Sequence, residues 1–172
     1  MPDAFPSLVV LRGPRVQLEP QTVAHARDMV DVLSSPRLYA FTGGEPPSLP
    51  QLRARYARQL LGPADDMDQA WRNWVVCAHE QAVGHVQATL QRQGGAVSAA
   101  VAWVVGQKHQ GHGLANEAAG VMVEHLRAQG VRTVTARIAD ANLASVAVAG
   151  RLGLCRTGRE EDGERLWLAE RT

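Results

Sequence analysis

The sequence is poor in the features that would commit it to several large classes of protein. Its 172 residues hold only two cysteines, Cys77 and Cys155, with no CxxC spacing. Two cysteines so far apart read as buried thiols of a reducing compartment, not as a disulfide framework. Charge of one sign is equally scarce, since 18 basic and 17 acidic side chains leave a formal net charge of +1. No broad attraction to nucleic acid or to an anionic membrane is written into the chain, so neither is expected as a partner. No apolar run approaches the roughly 20 residues that span a bilayer. Met1 to Ser7 carries two prolines, one acid and no basic stretch, so a secretory leader is not expected and the cytoplasm is the expected location. Internal repeats and low-complexity tracts are missing as well.

What remains is an ordinary globular composition, 45% hydrophobic and 20% charged, able to bury a core without disulfides or a structural metal. The length argues for a single domain over residues 1–172. Leu8 to Leu11 and Val16 to Leu18, around Gly13-Pro14, predict an opening strand broken by a turn. Thr22 is placed to cap a helix to about Leu33, with Ala26, Met29, Val30 and Leu33 on its apolar face. Ser48 followed by Gln51 has capping-box spacing and predicts a second helix through Leu60. Gly62 to Asp68 reads as an acidic surface loop. Trp74 to Ala78 and Val83 to Leu90 are strand-like, with a turn near Glu80-Gln81. Gly94-Gly95 turns into a fourth strand, Val97 to Val105, almost free of charge. A helix from about Gly113 to Ala128 buries Leu114, Ala118, Met122 and Leu126. Val131 to Ile138 is a fifth strand, and Asn142 caps a helix to Leu152. Cys155 to Arg159 and Arg165 to Ala169 form a hairpin about Asp162-Gly163. The order βααβββαβαββ predicts a layered α/β (α+β) domain.

The segment with chemical content is Gln110-Gly111-His112-Gly113-Leu114-Ala115, between the fourth strand and the long helix. Glycines allow a tight turn there that leaves backbone N–H groups facing outward at a helix N-terminus. Those donors and the helix dipole make a site for a phosphate or pyrophosphate, with Lys108 and His109 adding charge. A sharp connection without a ligand is the alternative reading of such a turn. A P-loop needs Gly-Lys-Ser/Thr, where this chain has Gly-Leu-Ala. A dinucleotide fold needs the turn after its first strand, whereas three strands in series precede it here.

This turn resembles the Gln/Arg-x-x-Gly-x-Gly/Ala signature of the GNAT acetyltransferases, in position as well as in sequence. Asn142-Leu143-Ala144-Ser145 and Arg151-Leu152-Gly153-Leu154 are similar to a second segment of that family, in the branch of the ribosomal-protein N-terminal acetyltransferases RimJ and RimL. Arg15 to Pro20 and the Tyr39 to Pro47 loop are similar to that branch too. The resemblance implies the GNAT fold: a mixed, mostly antiparallel twisted sheet of six to seven strands flanked by four helices, splayed between the fourth and fifth strands. It implies acetyl-CoA as cosubstrate, with the pyrophosphate on the amides of Gln110, Gly111, His112, Gly113, Leu114 and Ala115. The pantetheine arm would pair with Trp103, Val104 and Val105, with Asn142 also touching it. A backbone N–H of Val104 or Val105 would polarise the thioester carbonyl. An amine acceptor, either a protein N-terminus or a small molecule, would attack directly. Tyr39 and Phe41 would help wall the acceptor site. A homodimer is compatible with this branch.

The proton carriers depart from the family pattern. Ala149 stands where many members have a tyrosine acid, which leaves Ser145, four residues earlier on the same face, as a candidate donor and cofactor contact. A first-turn serine bonding to the backbone is the other reading of Ser145. The position of a frequent strand glutamate is Ala100, and no carboxylate lies between Gln81 and Lys108. Ser98 and His85 are therefore the candidate bases, the first through water and the second by its intrinsic pKa. Either can equally be structural. Glu117 reads as compensation of the helix dipole. His109 and His112 lack a third and fourth ligand, so no metal is expected. Without the tyrosine and the glutamate, a non-catalytic acyl-CoA-binding or regulatory module on the same fold is the competing reading.

Overall fold

Period-two alternation between Gln69 and Val105 produces the centre of the fold. The computed structural model describes residues 5–64 and 67–171. Part of the expected acidic loop and most of the Met1 to Ser7 stretch lie outside those residues.

Strands β3 (Gln69–Ala78), β4 (Gln81–Gln93) and β5 (Ala96–Val105) form an antiparallel meander. Its turns are His79-Glu80, with φ of 50° and 60°, and Gly94-Gly95, with φ of 57° and 78°. Two successive positive φ angles give the turn twist that matches a hairpin. The first turn lies one residue before the expected Glu80-Gln81.

The chain opens with two strands, β1 (Leu11–Arg12) and β2 (Gln17–Pro20), where one interrupted strand is expected. The Gly13 N–H donates to Val16 O at 2.8 Å and reverses the chain at Gly13-Pro14. This split makes the sheet eight-stranded instead of six- to seven-stranded. The remaining strands are β6 (Val131–Ile138), β7 (Cys155–Glu161) and β8 (Glu164–Glu170), in the order β1-β2-β3-β4-β5-β6-β8-β7. All pairs are antiparallel except β5 with β6.

Four α-helices cover the two faces: α1 (Ala26–Val32), α2 (Leu49–Leu61), α3 (Leu114–Ala128) and α4 (Leu143–Arg151). Thr22 caps a 3-10 turn, Val23–His25, that leads into α1, so the α-helix proper starts later than expected. Ser48 and Gln51 form the expected capping box of α2, and Gly62 stops it at φ 77°. On one face α1 and α2 bury Ala26, Met29, Leu52 and Tyr56 against Val75. On the other, α3 buries Leu114, Ala118, Ala119, Met122, Val123 and Leu126. Each large apolar side chain fully buried this way contributes about 1.5–3 kcal/mol. Trp74 and Trp167 are buried in this second core, while Trp71 and Trp103 are half-buried.

The pairing of β5 with β6 decides where a ligand can enter. It runs only from Val97 to Ala100 on β5, against Val131 to Thr135 on β6. Val101–Val105 continue along β4 with no partner on the β6 side. The sheet is splayed there, as expected between the strand Val97 to Val105 and the next.

Candidate functional site

Residues at the open end of β5 form the floor of a cleft of about 480 Å³. Trp103, Val104 and Val105 line it from β5, and Gln110, Gly111 and Gly113 from the following turn. Leu114 and Ala115 contribute from the start of α3, Asn142 and Ser145 from the start of α4. Phe41 lines it from the loop between α1 and α2, together with Arg37 and Leu38. Residues spread over more than a hundred positions of the chain therefore converge on one opening.

Backbone polarity at the floor follows from one hydrogen bond. Gly106 N–H donates to Val83 O at 2.8 Å, toward β4. Successive peptide groups of a strand alternate in direction, so the N–H and C=O of Val105 point to the opposite edge, into the splay. The Val105 carbonyl is taken there by the Gln110 side chain, whose Nε2 donates at 3.0 Å. This bond ties the turn back onto the strand end.

The turn itself is shaped by Gly111 at φ 81° and Gly113 at φ 76°, a conformation L side chains rarely adopt. Gly113 is the N-cap of α3, and its carbonyl accepts from Glu117 N at 3.1 Å. The amides of Leu114, Ala115 and Asn116 precede the first intrahelical bond, so they are the helix's unpaired donors at the cleft. A Cβ built at Gly111 meets nothing within 4 Å, so the space over the turn is open.

Arg15 and Glu117 hold this turn in place. Arg15 Nη1 donates to His112 O at 2.7 Å and its Nε to Glu117 Oε2 at 2.8 Å. Glu117 Oε1 also accepts from the backbone N–H of Arg15 at 2.6 Å and of Val16 at 3.2 Å. Burial raises the Glu117 pKa, but these bonds and the Arg15 charge outweigh it, leaving the carboxyl below its ordinary value. Glu117 is thus a clamp between the β1–β2 turn and α3, beyond the dipole role its position suggests. Gly13 permits the approach, since a Cβ there would stand 3.0 Å from Glu117 Oε1 and from Val121.

The remaining candidates fall at different distances from the cleft. Asn142 Oδ1 accepts from Ser145 N at 3.2 Å and so caps α4 at the cleft wall. Ser145 is half-buried on the same wall, while Ala149, four residues on, is fully buried in the core. His85 lies one strand away from the floor, paired with Val104 and Val75 on the face covered by α1 and α2. Although part of its surface is accessible, protein surrounds it. Burial, and then the Arg55 charge, lower its pKa to about 4. Ser98 sits at the other end of β5, roughly 16 Å from Trp103 at the usual rise per residue, and donates to Gln91 O at 3.4 Å. Tyr39 stands outside the cleft lining, its hydroxyl donating to Leu33 O at 2.9 Å. Burial raises its pKa, partly offset by Arg55. His112 belongs to the turn without lining the cleft, and its Nδ1 lies 3.5 Å from His109 O. Among the described residues no group of three or more potential ligands is placed to hold a metal.

Sequence reasoning missed the Gln110 side-chain tie, the Arg15–Glu117 clamp, Arg37 and the Ser35 hydroxyl bond to Gln107 Oε1 that draws the α1–α2 loop to the turn. The only signal for Arg15 was its place in the opening segment of resemblance.

Comparison with known proteins bears on this arrangement. The family described as Acetyltransferase (GNAT) domain matches residues 15–154. A GNAT-family acetyltransferase from Bordetella pertussis superposes with a TM-score of 0.68 at 27% identity, over 95% of this chain and 99% of that one. An acetyltransferase from Thermus thermophilus does so with a TM-score of 0.73 at 20% identity, over 91% and 97%. RimL, described as a ribosomal L7/L12 alpha-N-protein acetyltransferase and solved with coenzyme A, gives 0.74 at 12% identity, over 94% and 97%. No curated protein sequence matches the chain. No helix among the described residues is long and apolar enough to cross a membrane.

Proposed function

The chain belongs to the GNAT acetyltransferase family, and from that premise we propose that it transfers an acetyl group from acetyl-CoA to a primary amine. The observation that carries this reading is the coincidence, in one cleft, of unpaired helix-α3 amides with an unpaired β5 edge. The amides of Gly111 to Asn116 receive the pyrophosphate, where the helix dipole favours negative charge. The splayed edge at Trp103 and Val105 pairs with the amides of the pantetheine arm. The bound cosubstrate supplies an activated acyl group, and the protein aligns it with the amine.

The Val105 N–H is the donor aimed at the oxyanion that develops as the amine attacks the thioester carbonyl. Direction of the peptide selects Val105 over Val104 for this role, because the Val104 carbonyl faces β4, close to Gly84. Ser145, on the facing wall, donates a proton to the departing sulfur directly or through water. His85, neutral above a pKa of about 4, is too weak a base to take the ammonium proton efficiently, so that proton leaves through solvent.

The test is thiol release from acetyl-CoA with a panel of small amines and N-terminal peptides, alongside calorimetric titration of acetyl-CoA. Binding with turnover on at least one amine is expected. Absence of binding at millimolar acetyl-CoA overturns the reading, and binding without turnover on any acceptor points to a non-catalytic acyl-CoA module instead.

A further inference from the structure

The loop that follows α1, held to the turn by the Ser35–Gln107 bond, also lines the cleft, and its chemistry bears on the acceptor. Arg37 and Phe41 line the opening and are exposed, Phe41 at 45%, with half-buried Leu38 between them. Among the described residues the Arg37 guanidinium has no hydrogen-bond or ion-pair partner. The charged side chains lining the cleft are Arg37 and Arg151; His109 also lines it, and no carboxylate does. Of the carboxylates on adjoining elements, Glu117 is engaged by Arg15 and Asp140 by Arg156 and Arg165, while Glu45, on the same loop as Arg37, is not among the lining residues. An ammonium ion entering this opening finds no counter-charge among the lining side chains, whereas an anion meets a free guanidinium with forked donors.

Resting on the acetyl-transfer reading above, we infer that the acceptor is a small amine carrying its own carboxylate or phosphate, which Arg37 grips while Leu38 and Phe41 cover its apolar body. The pyrophosphate of the cosubstrate has its own site in the amides of the turn, and a loss of acetyl-CoA affinity on substituting Arg37 is the result that would assign the guanidinium to the cosubstrate's phosphates instead. A guanidinium binds either acid group through paired N–H donors. Polyamines and lysine-like alkylamines are disfavoured by the same field. Arg37 is a specificity residue in this account and takes no part in bond making.

Acid and neutral members of matched pairs test this: glycyl-phenylalanine against its C-terminal amide, and phosphoethanolamine against ethanolamine. Each is titrated into CoA-saturated protein and assayed for thiol release from acetyl-CoA, with wild type, Arg37→Ala and Arg37→Gln. The acid member of at least one pair should bind about tenfold or more tightly than its neutral partner. Both variants should erase that preference through acceptor KM, with kcat and acetyl-CoA affinity changed less than about twofold. Arg37 is exposed and unpartnered, so neither variant should alter the melting temperature. No acid preference in either pair, a preference that survives Arg37→Ala, or a loss confined to acetyl-CoA affinity would each overturn the inference. Failure to bind acetyl-CoA at all would instead sink the acetyl-transfer reading, which separates the two.

Discussion

A single carboxylate, Glu117, accepts two backbone N–H groups and the Arg15 Nε, while the same guanidinium holds the His112 carbonyl. The glycine turn before α3 is therefore braced from outside by a residue pair 102 positions apart. His85 presents the opposite case, an ionisable group kept neutral. Its native pKa of about 4 lies below the ordinary 6.5, so on acidification the unfolded chain takes up this proton first. The stability tied to His85 is whole above pH 6.5, drains away as the pH falls toward 4, and amounts to up to about 3 kcal/mol. Urea unfolding at pH 7 and pH 4.5 should show a smaller loss for His85→Gln than for wild type. A folded-state titration of the His85 imidazole itself near 6.5, assigned by NMR against His85→Gln, would contradict this. Neither role was legible in the sequence, because both depend on contacts between distant strands and helices. The residue types alone offered a dipole acid and a general base.

At the scale of elements, glycines and caps made much of the chain readable. Gly113 before α3, Asn142 before α4 and Asp162-Gly163 between β7 and β8 stand at the boundaries expected of them. The break at Gly13-Pro14 stands where it was expected; what was not expected is that the reversal is complete, so that the two pieces pair as β1 and β2. β3 starts at Gln69, earlier than Trp74, because Gln69 to Asn73, interrupted by the polar Arg72 and Asn73, pair with Gln91 to Gln87 of β4. Hydrophobic periodicity does not report a strand end of that kind. The same elements set up a contrast between two glycines. A Cβ at Gly84 would stand 2.1 Å from Val104 O, so Gly84→Ala must push β4 and β5 apart beneath the cleft. Overpacking of this sort costs about 1–3 kcal/mol, and it should weaken acetyl-CoA binding as well. Gly111→Ala faces open space and bears only the positive φ, roughly 1–2 kcal/mol. Chemical denaturation and calorimetry on both variants check the ranking; a Gly84→Ala protein as stable and as tight-binding as wild type would refute the packing account.

Across the described residues, the sheet supplies a frame that splays between β5 and β6, and helices on both faces bring their ends to that opening. The splay and the turn were legible through resemblance, since their geometry is shared. Phe41 was named through the same resemblance, whereas Arg37 was not, because its place in the cleft depends on how the α1–α2 loop folds toward the turn. A ligand seated at the junction of so many elements stabilises the native state against global unfolding. At a hundredfold excess over Kd, acetyl-CoA should add about 2.7 kcal/mol, raising the melting temperature of a chain this size by roughly 5–10 °C. EDTA should leave both melting temperature and thiol release unchanged. An unmoved transition under saturating acetyl-CoA would count against native-state binding.

The most direct measurement is an NMR titration of the amide-assigned protein with CoA. The account predicts that the largest shifts fall on the Val105 amide and on Gly111 to Asn116, with the Val104 amide, turned toward β4, moving less. Saturable shifts confined to another surface, such as the groove between Leu8 and Trp71, with the turn amides unmoved, would contradict it.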